Sequence, residues 1–405
     1  MKKEKYLIVS LLLVALLIRI LWVITYPTEQ ISDFIGYHKI ALSLLENSFY
    51  GVDSPSCYRP PGYPFLLFLI YKFINLNIST AIIVNILLEV VSCYLVYLLA
   101  LLVFNRRVAL IALIIFVFNP VSITFCSLLA SEHLFITIFL LLLICLIKYM
   151  QNDKLVFLIL SGFLWGIGTL VRAQLLIYPI PIFLTFLFVE NKYKEILKFL
   201  IIYFIMFCLC ILPWTIRNYI QFKRFILVSC NSGIVLYVGN NPKTYKWDNS
   251  VIKIADVKNK SNEEADKIYK TLAIKNIKSR PFWYFSRGFL KVNLLLESPT
   301  YPLFWINKGA NKKYDFSYYY PIVIWYFRLL LLLSCSSLII IKKINNFHKL
   351  IFLTVFFWWL VAFIFWAQSR YNYPIEPIMS VYAGYSLSYR FFRNEKENIN
   401  RERLS

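Results

Sequence analysis

Four arginines and two acids stand where they could act on a phosphate group. The arginines are Arg59, Arg172, Arg217 and Arg370. A guanidinium keeps its positive charge at any physiological pH, and its planar set of N–H donors matches the oxygens of a phosphate. The acids are Asp33 and Glu132, and a carboxylate can take a proton from an incoming hydroxyl or amine. Together these residue types suit the transfer of a group away from a phosphate.

The chain that must position these residues has the composition of a membrane protein. It has 405 residues, of which 60% are hydrophobic, whereas soluble chains average roughly 45–50%. The formal charge is +22, but the basic residues gather at segment ends and in one loop, without a recognisable nucleic-acid module. We therefore expect membrane lipids, and no nucleic acid, as their partners.

Ten apolar runs predict membrane-spanning helices. They cover 6–26, 79–104, 108–125, 131–149, 155–171, 174–189, 198–213, 319–341, 349–367 and 373–391. The fold class is therefore an all-α polytopic membrane protein. The shorter run 62–76 begins with Gly and Pro and contains Lys72. We interpret it as a re-entrant or interfacial helix on the outer side, with a full crossing left open.

Lysine and arginine in the short connections predict the orientation, because such loops stay in the cytoplasm. The N-terminal lysines place the N-terminus inside, and alternation then puts every basic connection inside. These connections contain Arg106 and Arg107, Lys154, Lys192 and Lys194, Lys342 and Lys343, and Arg390 and Arg393. Both termini are thus predicted to be cytoplasmic, in a bacterial inner membrane.

The same map divides the chain into four parts. They are an N-terminal transmembrane catalytic module (1–213) that includes a first outer loop (27–61), a large extracytoplasmic loop (214–318), C-terminal transmembrane helices (319–391) and a basic cytoplasmic tail (392–405). In the large loop, apolar spacing over 259–278 predicts an amphipathic surface helix.

The four arginines are exceptions to the inside-positive bias, since each lies near a predicted outer end of a span. Ionisable groups at membrane depth usually face a cavity or a partner. The donor of a group transferred there would be an amphipathic phosphate lipid, because the chain has no recognisable nucleotide-binding loop. The plainer interpretations are that the arginines reach lipid head groups, that Asp33 is an N-cap and that Glu132 is a first-turn acid. His133 is better explained as structural than as a metal ligand.

Two of the eight cysteines, Cys57 and Cys230, lie outside the apolar runs. They could pair, but the pattern favours free thiols.

Six motifs, in order along the chain, carry a family resemblance. They are "ISDFIGYHKIALSLLENSFYG", "YRPPGYPFLLFLIY", "NPVSITFCSLLASEHLF", "GFLWGIGTLVRAQLLIYPIP", "LPWTIRNYIQFKRFILVSCNSGIVLYVGNNP" and "RYNYPIEPIMSVYAG". The set resembles the GT-C superfamily of integral-membrane glycosyltransferases, in particular the bacterial relatives of protein O-mannosyltransferases and the lipid A aminoarabinose transferase. RPPGYP and PWTIRN are moderately specific, and their order in the set adds to the specificity.

The resemblance implies transfer of a sugar from a polyprenyl-phosphate donor to an envelope acceptor (a glycan, a lipid or a protein) on the extracytoplasmic face. It implies Asp33 as the catalytic base and Glu132 as a second acid that positions the acceptor or a metal ion. The residues that it implies for the phosphate are Arg59, Arg172, Arg217 and Arg370.

Several alternatives stay open at this stage. Many eukaryotic protein mannosyltransferases have an Asp-Glu pair in the first loop, whereas Phe34 follows Asp33 here. A divalent metal ion held by Asp33 and Glu132 is therefore an open question. Besides a sugar transferase, the pattern is compatible with a flippase or transporter of lipid-linked sugars, and with a glycan polymerase or ligase that uses pyrophosphate-linked donors.

Overall fold

A computed structural model describes residues 2–187, 193–243, 257, 260–297 and 299–402, most of which are helical. The α-helices are α1 (Lys2–Thr25), α2 (Asp33–Glu46), α3 (Gly62–Phe73), α4 (Ile78–Val103), α5 (Arg106–Val117), α6 (Pro120–Phe125), α7 (Ser131–Asn152), α8 (Leu155–Val171), α9 (Pro179–Leu187), α10 (Tyr193–Phe222), α11 (Ser232–Gly239), α12 (Asn262–Ser279), α13 (Pro281–Leu295), α14 (Tyr301–Gly309), α15 (Tyr319–Ile340), α16 (Asn346–Ile364) and α17 (Glu376–Glu402). Two 3₁₀ helices cover Ala173–Ile177 and Ser369–Ile375. The predicted all-α polytopic class is confirmed.

Six of these helices, among the described residues, are long and apolar enough to cross a membrane. They are α1, α4, α7, α10, α15 and α16, and each corresponds to one of the ten predicted spans. Of the other four predicted spans, 108–125 is divided between two helices, 155–171 is the 17-residue α8, and 174–189 is a 3₁₀ helix followed by α9 in its described part. The span 373–391 begins in a 3₁₀ helix and continues in α17, which extends to Glu402. Helix α3 has 12 residues, or about 18 Å, which is shorter than the roughly 30 Å hydrocarbon core.

The predicted span 108–125 is divided into α5 and α6 at Asn119. The Asn119 side chain accepts hydrogen bonds from the backbone N–H groups of Val121 (2.8 Å) and Ser122 (3.1 Å) and so caps α6. Pro120 is in the first turn of α6, where a backbone N–H has no partner within the helix, so the missing N–H of proline costs no hydrogen bond. The break turns the chain toward the end of the bundle at which α7 begins.

Contacts between connections define one end of the bundle. Glu4 near the N-terminus pairs with Arg106 at 3.8 Å and accepts a hydrogen bond from Tyr97. Phe104, between α4 and α5, contacts the ring of His348 at the start of α16. The N-terminus and two of the predicted inner connections therefore lie together. Helix α1 carries the chain from there to the opposite end, where α2 begins at Asp33.

A disulfide joins the first loop to the large loop, so the interpretation that favoured free thiols was wrong. Cys57 and Cys230 have a Cα–Cα distance of 5.4 Å and are 173 residues apart in sequence. The backbone N–H of Cys230 also donates to the carbonyl of Cys57 at 2.7 Å. Pairing depends on the distance and direction of two Cβ atoms, which sequence spacing does not reveal.

The large loop is helical in its described parts. The described portion of the amphipathic segment predicted over 259–278 is α12, which buries Tyr269 and Ala273 against α11. Residue 259 and most of the stretch from 244 to 258 lie outside the described residues. Helix α14 packs on the first loop, where the Glu29 N–H donates to the carbonyl of Gly309 at 3.0 Å. The two outer loops therefore form one layer.

The disulfide gives a direct prediction. When the denatured, unreduced protein is treated with a maleimide mass tag, we expect Cys57 and Cys230 to stay unlabelled and the other cysteines to react. In Cys57→Ser, Cys230 should then become labelled, because its partner is gone. Peptide mass spectrometry identifies the tagged positions, and labelling of Cys230 in the unreduced parent would contradict the pairing.

Candidate functional site

Asp33 lies between two arginines that are far from it in sequence. Its Oδ1 accepts from Arg59 Nη1 at 2.7 Å, and its Oδ2 accepts from Arg370 Nη2 at 3.4 Å. Ser32 is the N-cap of α2, so Asp33 is the first helical residue and not the cap. Its carboxylate is thus used for ion pairing at the site, with its helix dipole contributing further stabilisation.

A second ion pair, between Glu132 and Arg172, lies beside the first. Arg172 Nη1 is 3.0 Å from Glu132 Oε1, and both side chains are buried. Glu132 is in the first turn of α7, and Arg172 directly follows the last residue of α8. The guanidinium groups of Arg172 and Arg370 lie over the ring of Tyr371, at 5.6 and 5.2 Å from its centroid. The two pairs therefore form one cluster.

Two glycines allow the chain to approach closely enough to build this cluster. A Cβ at Gly36 would lie 2.9 Å from Arg59 Nη2, so the absence of a side chain lets the guanidinium lie across α2. A Cβ at Gly62, in the RPPGYP sequence, would lie 2.6 Å from Val171 Cγ2. Helix α3 can therefore start against the end of α8, immediately before Arg172. The stiff proline sequence holds Arg59 and Arg172 near each other.

Aromatic rings cover the arginines. The Arg59 guanidinium lies 5.1 Å from the ring centroid of Tyr37 and 5.8 Å from that of Tyr58. Tyr301, on α14 of the large loop, accepts a hydrogen bond from Arg370 Nη1, and its ring lies 4.7 Å from that guanidinium. Cation–π contacts of this kind fix a guanidinium without neutralising its charge. The sequence reasoning missed Tyr301 because only the folded outer layer brings it to the site.

The four predicted phosphate-binding arginines do not share one position. Arg217 donates to the carbonyl oxygens of Ser56 (3.0 Å) and Tyr50 (3.1 Å). It also lies over the ring of Trp214. The Tyr50 hydroxyl in turn donates to the carbonyl of Arg59 at 3.0 Å. Arg217 therefore stabilises the segment that contains Arg59, whereas the other three arginines form ion pairs with the acids.

The electrostatics of the cluster keep Asp33 ionised. Burial opposes ionisation, but the attraction of Arg370 and then of Arg59 outweighs it and holds the pKa of the Asp33 carboxyl below its ordinary value. Arg370 also attracts Glu132. Both acids are thus charged partners of the arginines at neutral pH.

A divalent metal ion does not fit this arrangement. Both oxygens of Asp33 and Oε1 of Glu132 already face guanidinium groups. Within the described ranges, no group of three His, Cys, Asp or Glu side chains is placed to hold a metal ion. The chemistry is therefore derived below from carboxylates and arginines alone.

Comparison with known proteins finds one matching family model and several solved structures of similar fold. Residues 58–216 match the family model described as dolichyl-phosphate-mannose-protein mannosyltransferase. That range contains Arg59, Glu132 and Arg172. None of the curated proteins matches the chain.

Solved structures of an archaeal oligosaccharyltransferase are similar in fold. AglB from Archaeoglobus fulgidus, in complex with an inhibitory peptide and a dolichol-phosphate, matches with a TM-score of 0.58 at 16% identity, over 98% of this chain and 52% of that one. The apo form of the Archaeoglobus fulgidus enzyme gives 0.59 at 15% identity, over 99% and 52%. The chain therefore spans about half the length of these proteins.

A more distant structure is ArnT from Cupriavidus metallidurans bound to undecaprenyl phosphate. Its TM-score is 0.47 at 11% identity, over 94% of this chain and 77% of that one, which is too low to support an argument. The chain is therefore similar over 58–216 to the dolichyl-phosphate-mannose-protein mannosyltransferase family, and it shares the helical fold of the archaeal oligosaccharyltransferase.

Proposed function

We propose that this protein transfers a sugar from a polyprenyl-phosphate-linked donor to an acceptor of the cell envelope. The observation that carries the proposal is the position of Asp33 between Arg59 and Arg370, next to the Glu132–Arg172 pair. A base and several phosphate-binding groups are thus within one cluster. The family match and the fold support the same activity.

The charge balance supports a monophosphate lipid. Among the described residues of the cluster, three guanidinium groups face two carboxylates, which leaves an excess of one positive charge. The phosphodiester of a polyprenyl-phosphate sugar has one negative charge, whereas a diphosphate linkage has two. Arg370 Nε is also buried without a hydrogen-bond acceptor in the described part of the chain. A bound phosphate would supply an acceptor for it.

In the free protein, Asp33 is paired with the two arginines that a donor phosphate would bind. When the sugar donor binds, its phosphate competes for the guanidinium groups of Arg59 and Arg370 and leaves the Asp33 carboxylate less strongly held. Asp33 then takes the proton of the acceptor hydroxyl or amine while that oxygen or nitrogen attacks the anomeric carbon. The bond from the anomeric carbon to the phosphate oxygen breaks, and the polyprenyl phosphate leaves bound to the arginines. This single displacement inverts the anomeric configuration.

The two outer loops support an extracytoplasmic site. Disulfides persist in oxidising compartments such as the bacterial periplasm, and Cys57 is two residues from Arg59. The connections with Arg106 and Lys342, which are predicted to be cytoplasmic, lie at the opposite end of the bundle from Asp33. We therefore place the active site on the outer face of a bacterial inner membrane, with both termini in the cytoplasm.

The function is tested by the envelope glycans and glycoproteins of a deletion strain that carries the parent gene or an Arg59 variant. We expect mass spectrometry to show a sugar modification that the parent restores and Arg59→Ala does not, with transfer reduced about 10²–10³-fold. Arg59→Lys should give an intermediate level, because it keeps the charge but loses the planar fork. Asp33 stays paired with Arg370 in both variants, so we expect normal folding.

Arg224→Ala is the matched control, since it removes an exposed guanidinium whose ion pair within the described ranges is a 4.0 Å contact with Glu264. It should restore the modification fully. Normal modification in Arg59→Ala would refute the site. A purified protein that moves a lipid-linked sugar across vesicles without forming a glycosidic bond would establish the transporter alternative instead.

Asp33→Asn separates binding from turnover. Because the neutral amide no longer competes for Arg59 and Arg370, we expect undecaprenyl phosphate in nanodiscs to bind roughly 3–10-fold more tightly. Turnover should fall about 10²–10⁴-fold through loss of the base. Asp53→Asn, an exposed acid in the same loop, is the control and should change neither quantity. Weaker binding in Asp33→Asn would contradict the competition.

The pH dependence of transfer gives a further test. The pKa of Asp33 is lowered in the free protein, so its basic form persists as the pH falls, and the acid-side decline of kcat/KM should lie below the ordinary titration range of an aspartic acid. Bound phosphate neutralises the arginines, which raises the pKa of Asp33 in the complex. The acid-side decline in the pH profile of kcat should therefore lie at higher pH than the decline in the profile of kcat/KM. Identical declines would show that the bound phosphate does not change the pKa of Asp33.

A further inference from the structure

Another carboxylate, Glu89 on α4, is completely buried inside the bundle. Its Oε1 is 2.8 Å from His133 Nδ1 and accepts from the Tyr373 hydroxyl, also at 2.8 Å. Its Oε2 accepts from Ser122 Oγ at 2.7 Å. One side chain thus connects four separate elements: α4, α6, α7 and the 3₁₀ helix Ser369–Ile375. The mechanism above does not use Glu89.

The charge of Glu89 is compensated within the apolar interior. Ser122 Oγ accepts from Arg19 Nη2 at 2.7 Å, and Arg19, on α1, is itself fully buried. Arg19 Nη1 also donates to the carbonyls of Ala15 and Val117. Ionisable groups at membrane depth are costly and are usually retained for a function or a partner. An apolar cluster of similar volume would hold helices together at a lower desolvation penalty.

The partners of Glu89 are immediate neighbours of the site residues. His133 directly follows Glu132, and its Nε2 is 3.2 Å from the carbonyl of Phe125, so the ring is fixed at both nitrogens. Tyr373 is in the same 3₁₀ helix as Arg370, and its ring stacks on Phe125 at 4.7 Å. The same carboxylate therefore holds the segments that carry one acid and one arginine of the cluster.

We propose that Glu89 is a positioning residue for sugar transfer, which sets the distance between the Glu132–Arg172 pair and Arg370. The inference rests on the proposed function. A displacement of about 1 Å at a reacting centre can lower the rate roughly 10²-fold. The buried hydrogen-bonded group of Glu89, His133 and Tyr373, called the hub below, would therefore control the rate without touching the substrate. A merely structural hub would alter stability and leave the kinetic constants of the folded protein unchanged.

The two contacts of Glu89, with Tyr373 and with His133, can be tested separately. Tyr373→Phe removes one hydroxyl and keeps the ring on Phe125; we expect it to weaken the binding of undecaprenyl phosphate in nanodiscs about 10-fold, through Arg370. His133→Gln should lower kcat about 10-fold with little change in the KM of the sugar donor, through Glu132. Glu89→Gln should show both effects, and adding Tyr373→Phe to it should cause little further loss.

Glu376→Gln is the matched control. Glu376 is also fully buried at a helix start and is bonded to Asn119 at 2.7 Å. We expect it to match the parent in probe binding and in kcat, whatever it does to the thermal unfolding temperature.

Parental kinetics and probe binding in folded Glu89→Gln and Tyr373→Phe would overturn the inference while the proposed function stands. So would equal losses in Glu376→Gln. If Glu89→Gln does not fold, Tyr373→Phe and His133→Gln still decide the question. A parent protein that neither binds the probe nor transfers sugar would instead refute the proposed function.

Discussion

Charges in an apolar helical bundle must be neutralised by one another, and the candidate site follows from this requirement. Asp33 is held by two guanidinium groups and Glu132 by a third. A buried pair loses its stability when one partner is removed, because the other charge is then left unpaired. Among the described residues of the cluster, the arginines nevertheless exceed the acids by one, so this cluster is one negative charge short of neutrality in the free protein. The anionic lipid head group that we propose as its ligand would supply that charge.

In the proposed mechanism the acids of the site have a double role that follows from this balance. In the free protein they pair with the arginines. In that mechanism a phosphate takes over those contacts, and a carboxylate becomes available next to the bond that breaks. The proposal thereby links the order in which the two substrates bind to electrostatics, since the base would be most available after the lipid phosphate has arrived.

Rigidity is supplied from both sides of the cluster. On the outer side, the disulfide between Cys57 and Cys230 and the bonds of Arg217 hold the segment that contains Arg59. On the membrane side, Glu89 binds the segments that contain Glu132 and Arg370. Helix α14 contributes Tyr301 over Arg370. The candidate site thus lies between the two disulfide-linked loops on one side and the buried hydrogen-bonded group around Glu89 on the other.

Local sequence was sufficient to predict most of the long helices, and it indicated most of the residues that the fold brings into the candidate cluster. Apolar runs determine membrane helices because the bilayer demands length and hydrophobicity, and the RPPGYP sequence indicated a stiff turn before α3. Arg59, Arg172 and Arg370 could be recognised as candidate site residues because they are exceptions to the inside-positive pattern.

Pairings between distant residues could not be obtained in this way. Asp33 and Arg370 are 337 positions apart, and their contact depends on how every intervening helix packs. The same holds for the disulfide, for Glu89, and for the position of Arg217, whose motif indicated a phosphate contact while its folded neighbours are backbone carbonyls. Hydrophobicity and turn chemistry act over a few residues, whereas ion pairs and disulfides require distances that only the packed bundle defines.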